Sequence, residues 1–308
     1  MALLEVKDFD IRYYGSSFEL NGVNLSLNKG ESLVIYGREN SGKTTLLRAL
    51  CGLEDYAKGN ALLDGIELNK LSQKDMDIGF SFDKSILDGK SLAGDTISLP
   101  MKLRGISQNR IDSYLRAMAE RCNLPMQAQV KDLSDLQVTM LILARLFSVD
   151  RRLYLVDDVW KDLHEEEKRL VEDFLIENVK DRSVVVATDD RILAKRVSLD
   201  RILVLADREV APTLSFEEIV AKPINMQSAI LAGYELHIGE LVKNDNNYFA
   251  NICAEQFAVS QPISDIYVGK RVCFAIKRLG EVSDKDEVGD GEVMSFYYDI
   301  GVERIIST

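Results

Sequence analysis

The run Leu33-Val34-Ile35-Tyr36-Gly37-Arg38-Glu39-Asn40-Ser41-Gly42-Lys43-Thr44-Thr45 constrains this chain more than any other stretch. It reads as a short apolar strand, a turn bounded by glycines, and a helix continuing through Leu46, Leu47, Ala49 and Leu50. The turn fits G-x-x-x-x-G-K-[ST], the phosphate-binding P-loop. Its residue types follow from the ligand. Gly37 and Gly42 let bare backbone N–H groups curl around phosphate oxygens, Lys43 brings a point charge, and the Thr44 hydroxyl can hold Mg²⁺. The helix that starts here adds its dipole at the same place. Such a loop needs a strand behind it and a helix ahead of it, which is an α/β arrangement.

The rest of the chain agrees. Arg152-Leu153-Tyr154-Leu155-Val156-Asp157-Asp158 is a buried strand ending in two carboxylates, which suits Mg²⁺ at the carboxyl edge of a parallel sheet. Residues 165–180 form an amphipathic helix through Leu170, Val171, Phe174, Leu175 and Val179, and 183–188 and 201–205 are two more buried strands. Strands of this kind alternating with helices predict a parallel sheet. Residues 3–27 alternate in strand fashion, and 61–65 and 78–83 read as further strands. From 86 to 147 the spacing turns helical: Ile111, Tyr114, Leu115, Met118 and Cys122 share one face, and 140–147 is apolar nearly all round. That predicts a helical subdomain over about 86–150.

Past Pro223 the pattern changes. Residues 234–242 and 248–253 read as strands around a hairpin loop at 243–247, with more strands at 271–276 and 293–298. The predicted division is a domain over 1–222 and a small all-β domain over 223–308. An acidic loop at 281–292 imitates a calcium loop, but Val288 and Ser295 occupy the fifth and twelfth positions, where an EF-hand needs its oxygen ligands. It reads as solvated.

Composition narrows the function. At 308 residues the chain has room for two domains. A net charge of −12 argues against a nucleic-acid surface, which needs a basic stripe. No apolar run approaches the roughly 18 residues of a membrane span, and the N-terminus lacks the apolar core of a signal peptide. Cys51, Cys122, Cys253 and Cys273 form no C-x-x-C pair and read as reduced core thiols. His164 reads as a solvated loop residue and His237 as a sheet residue, too few for a histidine metal centre. A cytosolic chain is expected.

In this order of parts the chain resembles the nucleotide-binding subunit of an ABC transporter over nearly its whole length. The resemblance puts Gly37 to Thr45 at the Walker A loop, so Gly37, Asn40, Ser41, Gly42, Lys43, Thr44 and Thr45 fall on ATP-binding positions. Tyr14 stands where the family stacks an aromatic on adenine, and Asp83 where it has the glutamine of the Q-loop. Leu133-Ser134-Asp135-Leu136-Gln137 stands at the signature, spelled L-S-G-G-Q in the family, which assigns Ser134 and Gln137 to a partner chain's nucleotide. Asp157 closes Walker B, Asp158 takes the place of the catalytic glutamate, and Asp189 that of the switch histidine. Lys161-Asp162-Leu163-His164 occupies the D-loop. Implied cofactors are ATP and Mg²⁺, the metal falling to Thr44, Asp83 and Asp157. The tail is similar to the all-β, OB-like TOBE domain of sugar-type importers, in shortened form, through residues 217–234 and 268–278.

The departures from the pattern cluster. Asp158 draws its carboxylate back by one bond, about 1.5 Å, and a misplacement of about 1 Å costs ~10²-fold in rate. Asp189 cannot donate a hydrogen bond to a γ-phosphate as histidine does, and Asp83 loses an amide donor. Asp135 and Leu136 replace glycines that permit close backbone approach, a defect that belongs to the partner's site. The expected function is therefore an ATP-binding, catalytically degenerate subunit of an ABC importer, energising solute uptake, with carbohydrate as the class the tail points to. It would pair with a second, intact ATPase chain and dock on transmembrane permeases through residues 85–104. A solute-binding protein would act indirectly, and the chain would sit on the inner face of the cell membrane. Two alternatives stay open: a homodimeric importer ATPase with Asp158 as base, and a soluble nucleotide-sensing regulator.

Overall fold

The apolar strand before the P-loop lies inside the largest sheet of the computed structural model. The structure describes residues 2–12, 19–81, 84–197, 201–206, 209–210, 212–221, 223–245, 247–252, 255–258, 268–269, 271–278 and 291–295. Tyr14, Asp83, Cys253 and residues 281–290 lie outside that set. The chain divides into two units, Met1–Ser215 and Phe216–Thr308.

The first unit runs β1 (Ala2–Arg12), β2 (Glu19–Asn28), β3 (Ser32–Gly37), α1 (Lys43–Leu50), β4 (Lys58–Leu63), β5 (Ile66–Glu67), α2 (Gln73–Met76) and β6 (Ile78–Phe80). It continues through α3 (Ala93–Leu103), α4 (Gln108–Cys122), α5 (Asp135–Phe147), β7 (Leu153–Asp157), α6 (Glu165–Val179), β8 (Val184–Thr188), α7 (Arg191–Val197), β9 (Arg201–Ala206) and β10 (Glu209–Val210). The main sheet has the order β10-β9-β3-β8-β7-β6. β3 runs parallel to β8 and β9, β7 to β8 and β6, and only β10 turns back antiparallel along the edge. Covered on both faces, β3 is buried at every position, which is why it is an unbroken apolar run. Leu33 and Ile35 share one core with Leu46 and Leu50 of α1 and with Phe9 and Ile11 of β1. β1 and β4 belong to a second, antiparallel sheet of order β2-β1-β4-β5.

The helical stretch forms where the spacing predicts it. Met101, Ile111 and Val149 make a small core of their own, joined by Tyr114 and Leu115. α5 starts at Asp135, earlier than its apolar run, because Ser134 caps it: the Ser134 hydroxyl accepts from the Gln137 N–H at 3.2 Å. Cys51 and Cys122 are buried free thiols. Among the described residues no helix is long and apolar enough to cross a membrane.

The second unit consists of α8 (Phe216–Ala221), α9 (Met226–Ala232), β11 (Glu235–Asn244), β12 (Asn247–Ile252), β13 (Glu255–Ala258), β14 (Arg271–Arg278) and β15 (Gly291–Ser295). Its strands form an antiparallel sheet of order β13-β12-β11-β14-β15. The unit is not all β, because it opens with two helices packed on each other. The division expected at 222/223 falls between them. Asn225 explains the second helix: its side chain accepts from the Ser228 N–H at 2.8 Å and caps α9. The hairpin is also tighter than predicted. Lys243 pairs with Tyr248 and Asn244 with Asn247, and Asp245 takes the left-handed backbone (φ 53°) that aspartate tolerates. His237 sits in β11 opposite Phe274, half-buried in the sheet as expected.

Candidate nucleotide site

The P-loop joins β3 to α1, and its geometry answers to its sequence. A Cβ on Gly37 would stand 2.5 Å from Ser41 Oγ and 2.8 Å from the Leu205 carbonyl oxygen, so only glycine fits. Asn40 (φ 62°) and Gly42 (φ 102°) adopt left-handed backbone, turning N–H groups inward as an anion-binding nest requires. Gly42 starts α1 with no side-chain cap. Lys43 is buried, and its Nζ donates to the Gly37 and Arg38 carbonyls at 2.7 and 2.9 Å. Burial pushes its pKa below the ordinary lysine value, opposed by the negative charges of Asp158, Asp189 and Asp157. Among the described residues Ser41 Oγ is buried with no hydrogen-bond partner. A glycine-only turn, left-handed backbone at Asn40 and Gly42 and an uncapped helix start together fit a nucleotide's phosphates.

The carboxyl end of β7 forms the opposite wall. Thr44 Oγ1 donates to Asp157 Oδ1 at 3.1 Å, and the Asp157 N–H donates to Ser81 Oγ at 2.7 Å, which steadies the strand end. Two hard oxygens side by side at a phosphate loop fit Mg²⁺. Asp158 has left-handed backbone (φ 34°), and its N–H donates to the Ala187 carbonyl at 3.1 Å. One of its carboxyl oxygens is buried without a hydrogen-bond partner among the described residues. Burial and then the charge of Asp189 push its pKa up to about 7, Lys43 pulling the other way and Asp157 adding to the rise. Asp158 and Asp189 thus face each other as carboxyls, and near neutrality Asp158 keeps a proton much of the time.

A cleft of about 800 Å³ holds these groups together. Asn40, Gly42, Lys43, Thr44, Thr45, Asp157, Asp158 and Asp189 all line it. Gly37 and Ser41 do not line it, and nor do Ser134 and Gln137. The last two are engaged in capping α5, and Gln137 Nε2 also donates to the Asn123 carbonyl at 3.0 Å. Tyr14 and Asp83 lie outside the described residues. Lys84 is a cleft residue that no motif announces: its Nζ pairs with Asp162 at 2.9 Å and Asp135 at 3.3 Å, so the negative charge within the signature is answered in the same chain. Ser81 was missed as well, though a hydroxyl at the end of an apolar strand was a signal of sorts. His164 is exposed at the start of α6, its N–H donating to Glu167 Oε2 at 3.2 Å.

Residues 20–161 match the family model described as ABC transporter. That stretch, a little under half of the chain, is similar to an ABC transporter ATP-binding domain. Import ATP-binding proteins are among the chain's relatives. This chain is 28% identical to the spermidine/putrescine import ATP-binding protein PotA of Thermotoga maritima, over 75% of its own length and 64% of the relative's. It is 26% identical to the maltose/maltodextrin import ATP-binding protein MalK of Photorhabdus laumondii, over 71% and 60%. With the methionine import ATP-binding protein MetN of Clostridium tetani it shares 26% identity over 91% of its own length and 92% of the relative's. The chain thus spans less than two thirds of the first two relatives and nearly all of the third.

Proposed function

We infer that this chain is the ATP-binding subunit of a solute importer, that its own P-loop site grips ATP and hydrolyses it poorly, and that a second, intact ATPase chain works beside it. The observation that carries this reading is the contact between the part-buried Asp158 and the exposed Asp189. A general base must be charged and within reach of its proton. Asp158 is short, part-buried, and favoured in its protonated form. Asp189 presents a second acid where a hydrogen-bond donor to phosphate is needed.

The binding end is supported by different groups. Gly37, Asn40, Ser41 and Gly42 wrap the phosphates, Lys43 exchanges its loop carbonyls for phosphate oxygens, and Thr45 lines the cleft behind Thr44. Tyr14 is assigned to adenine stacking. Thr44 and Asp157, with Asp83, would hold Mg²⁺, which when bound neutralises phosphate charge. Ser134 and Gln137 are assigned to the partner's nucleotide, with Lys84 offsetting Asp135. The helical subdomain is the permease-docking part, and the antiparallel sheet of the second unit is assigned as TOBE-like. Location on the inner face of the membrane follows from permease binding. Because the relatives' names span polyamines, maltodextrins and methionine, the proposal stops at import and assigns no carbohydrate or other cargo.

The test compares the purified chain, alone and mixed with the ATPase chain that co-assembles with it, by calorimetric ATP binding and by phosphate release. Tight binding without turnover when alone, and turnover in the mixture that tolerates Asp158→Asn, is expected. Brisk turnover by the chain alone, abolished by Lys43→Ala, would establish the homodimer instead. ATP binding with no membrane partner under any condition would leave the regulator.

A further inference from the structure

β6 and β7 run side by side and end at the same edge of the main sheet, Phe80 opposite Leu155. Just past β6 the Ser81 N–H donates to the Leu155 carbonyl at 2.9 Å, and Ser81 Oγ accepts from the Asp157 N–H at 2.7 Å. The chain therefore leaves β6 beside Asp157, which is also the partner of Thr44. Lys84, three residues on, lines the nucleotide cleft. On the neighbouring strand the turn after Asp158 brings Asp162 to the same cleft, and Thr139 Oγ1 fixes that turn to α5 by donating to the Val159 carbonyl at 3.0 Å. Lys84 Nζ bridges the turn and the start of α5, 2.9 Å from Asp162 and 3.3 Å from Asp135.

The wall facing the P-loop is acidic. Asp157, Asp158, Asp162 and Asp189 all line the cleft, and a run of phosphates seated on the P-loop points its terminal group at them, since Thr44 at the start of α1 touches Asp157. Among the described residues the cations lining the cleft are Lys43, Arg48, Lys84 and Lys161. Lys43 is buried and held by its loop carbonyls, and Arg48 pairs with Glu54 at 3.0 Å. Lys84 differs from both. Its side chain is half exposed, and its two partners are exposed carboxylates. Pairs of that kind are weak and exchange readily. A terminal phosphate offers three strong acceptor oxygens and about two negative charges, more than either carboxylate. The flexible four-carbon stem of lysine lets the ammonium swing across. We propose that Lys84 is the residue by which this chain's own site tells a nucleoside triphosphate from a diphosphate, its ammonium moving from Asp135 and Asp162 to the terminal phosphate. A diphosphate stops short and leaves both ion pairs in place. The proposal rests on the reading of this cleft as a nucleotide site and deepens it by naming what sets its preference.

The test is calorimetric binding of ATP and of ADP, each with Mg²⁺, to the full chain and its variants. In Lys84→Gln the ratio of ATP to ADP affinity should fall about tenfold, the scale of one charge-assisted contact, because ATP alone binds more weakly. Lys84→Arg should keep most of the ratio. Asp135→Asn combined with Asp162→Asn frees the lysine and should strengthen ATP while ADP stays where it was. Lys161→Gln takes the same charge from the cleft wall and should leave the ratio unmoved. An unchanged ratio in Lys84→Gln, or an equal loss for both nucleotides, overturns the proposal. A ratio that falls as far in Lys161→Gln reduces the effect to long-range charge and overturns it too. Binding of both nucleotides with a ratio indifferent to Lys84 removes this proposal alone, whereas no binding of either removes the nucleotide reading with it.

Discussion

The two walls of the nucleotide cleft are built to opposite standards. On the P-loop wall every constraint agrees: Gly37 is glycine because nothing larger fits, Asn40 and Gly42 take the backbone that the turn needs, and Lys43 is held in place by loop carbonyls. On the facing wall the two residues that we propose stand in the hydrolytic positions are both acids. Asp158 and Asp189 bring two acids together, and the fold favours keeping a proton on Asp158. Binding and turnover are separable because they draw on different groups. A phosphate cradle uses backbone geometry, which survives side-chain drift, whereas proton transfer depends on one atom's position and charge.

That contrast can be broken or sharpened by substitution. Lys43→Ala should have the largest effect, a loss of about 10²-fold in ATP affinity measured by calorimetry, the scale of losing charge-assisted bonds. If the affinity holds, the sound wall is not where we place it. Asp158→Glu combined with Asp189→His should raise phosphate release by the chain's own site about tenfold or more, since it returns both reach and a donor. An unchanged rate would move the defect elsewhere. Gly37→Ala should cost about 1–3 kcal/mol, read as a lower Tm, because its methyl overlaps Ser41 Oγ and the Leu205 carbonyl.

Asp158→Asn carries a smaller effect with a defined pH window. The native state keeps the Asp158 proton longer than the unfolded chain does. Stability is therefore lost progressively as pH rises from the ordinary carboxylate value of 3.8 to about 7, and the loss is complete above that. The asparagine variant should melt with the parent at the acid end of that window and several degrees higher above it. Parallel melting curves across the window would show Asp158 to be ordinarily charged. Lys84→Ala should leave the Tm unmoved, because both of its ion pairs are exposed to water and exposed pairs contribute little.

Much of this was legible in the chain itself. The strand, loop and helix around Gly37 could be read because each depends on neighbours a few residues away, and the buried parallel strands announced themselves as apolar runs. The helical subdomain followed from residue spacing. The tail was read less well: the helices 216–221 and 226–232 are too short for a periodic signal, and the capping by Asn225 was overlooked. The five-residue hairpin loop became a tighter turn because pairing extended through Asn244 and Asn247, and β13 was not foreseen. Ser134 and Gln137 were legible as a motif, but the same spacing is also a capping box, and the structure shows them in that use.

Local chemistry alone determined that this polypeptide carries a phosphate-binding loop on an α/β sheet with acidic residues downstream, since each of those features is written in consecutive residues. Which carboxyls meet, how far each is drained of water, and that Lys84 ties Asp135 to Asp162 were decided by the packing of segments far apart in the chain. The reason is physical. Backbone preference acts over a turn or two, whereas desolvation and charge pairing depend on three-dimensional neighbours that no single stretch of sequence specifies.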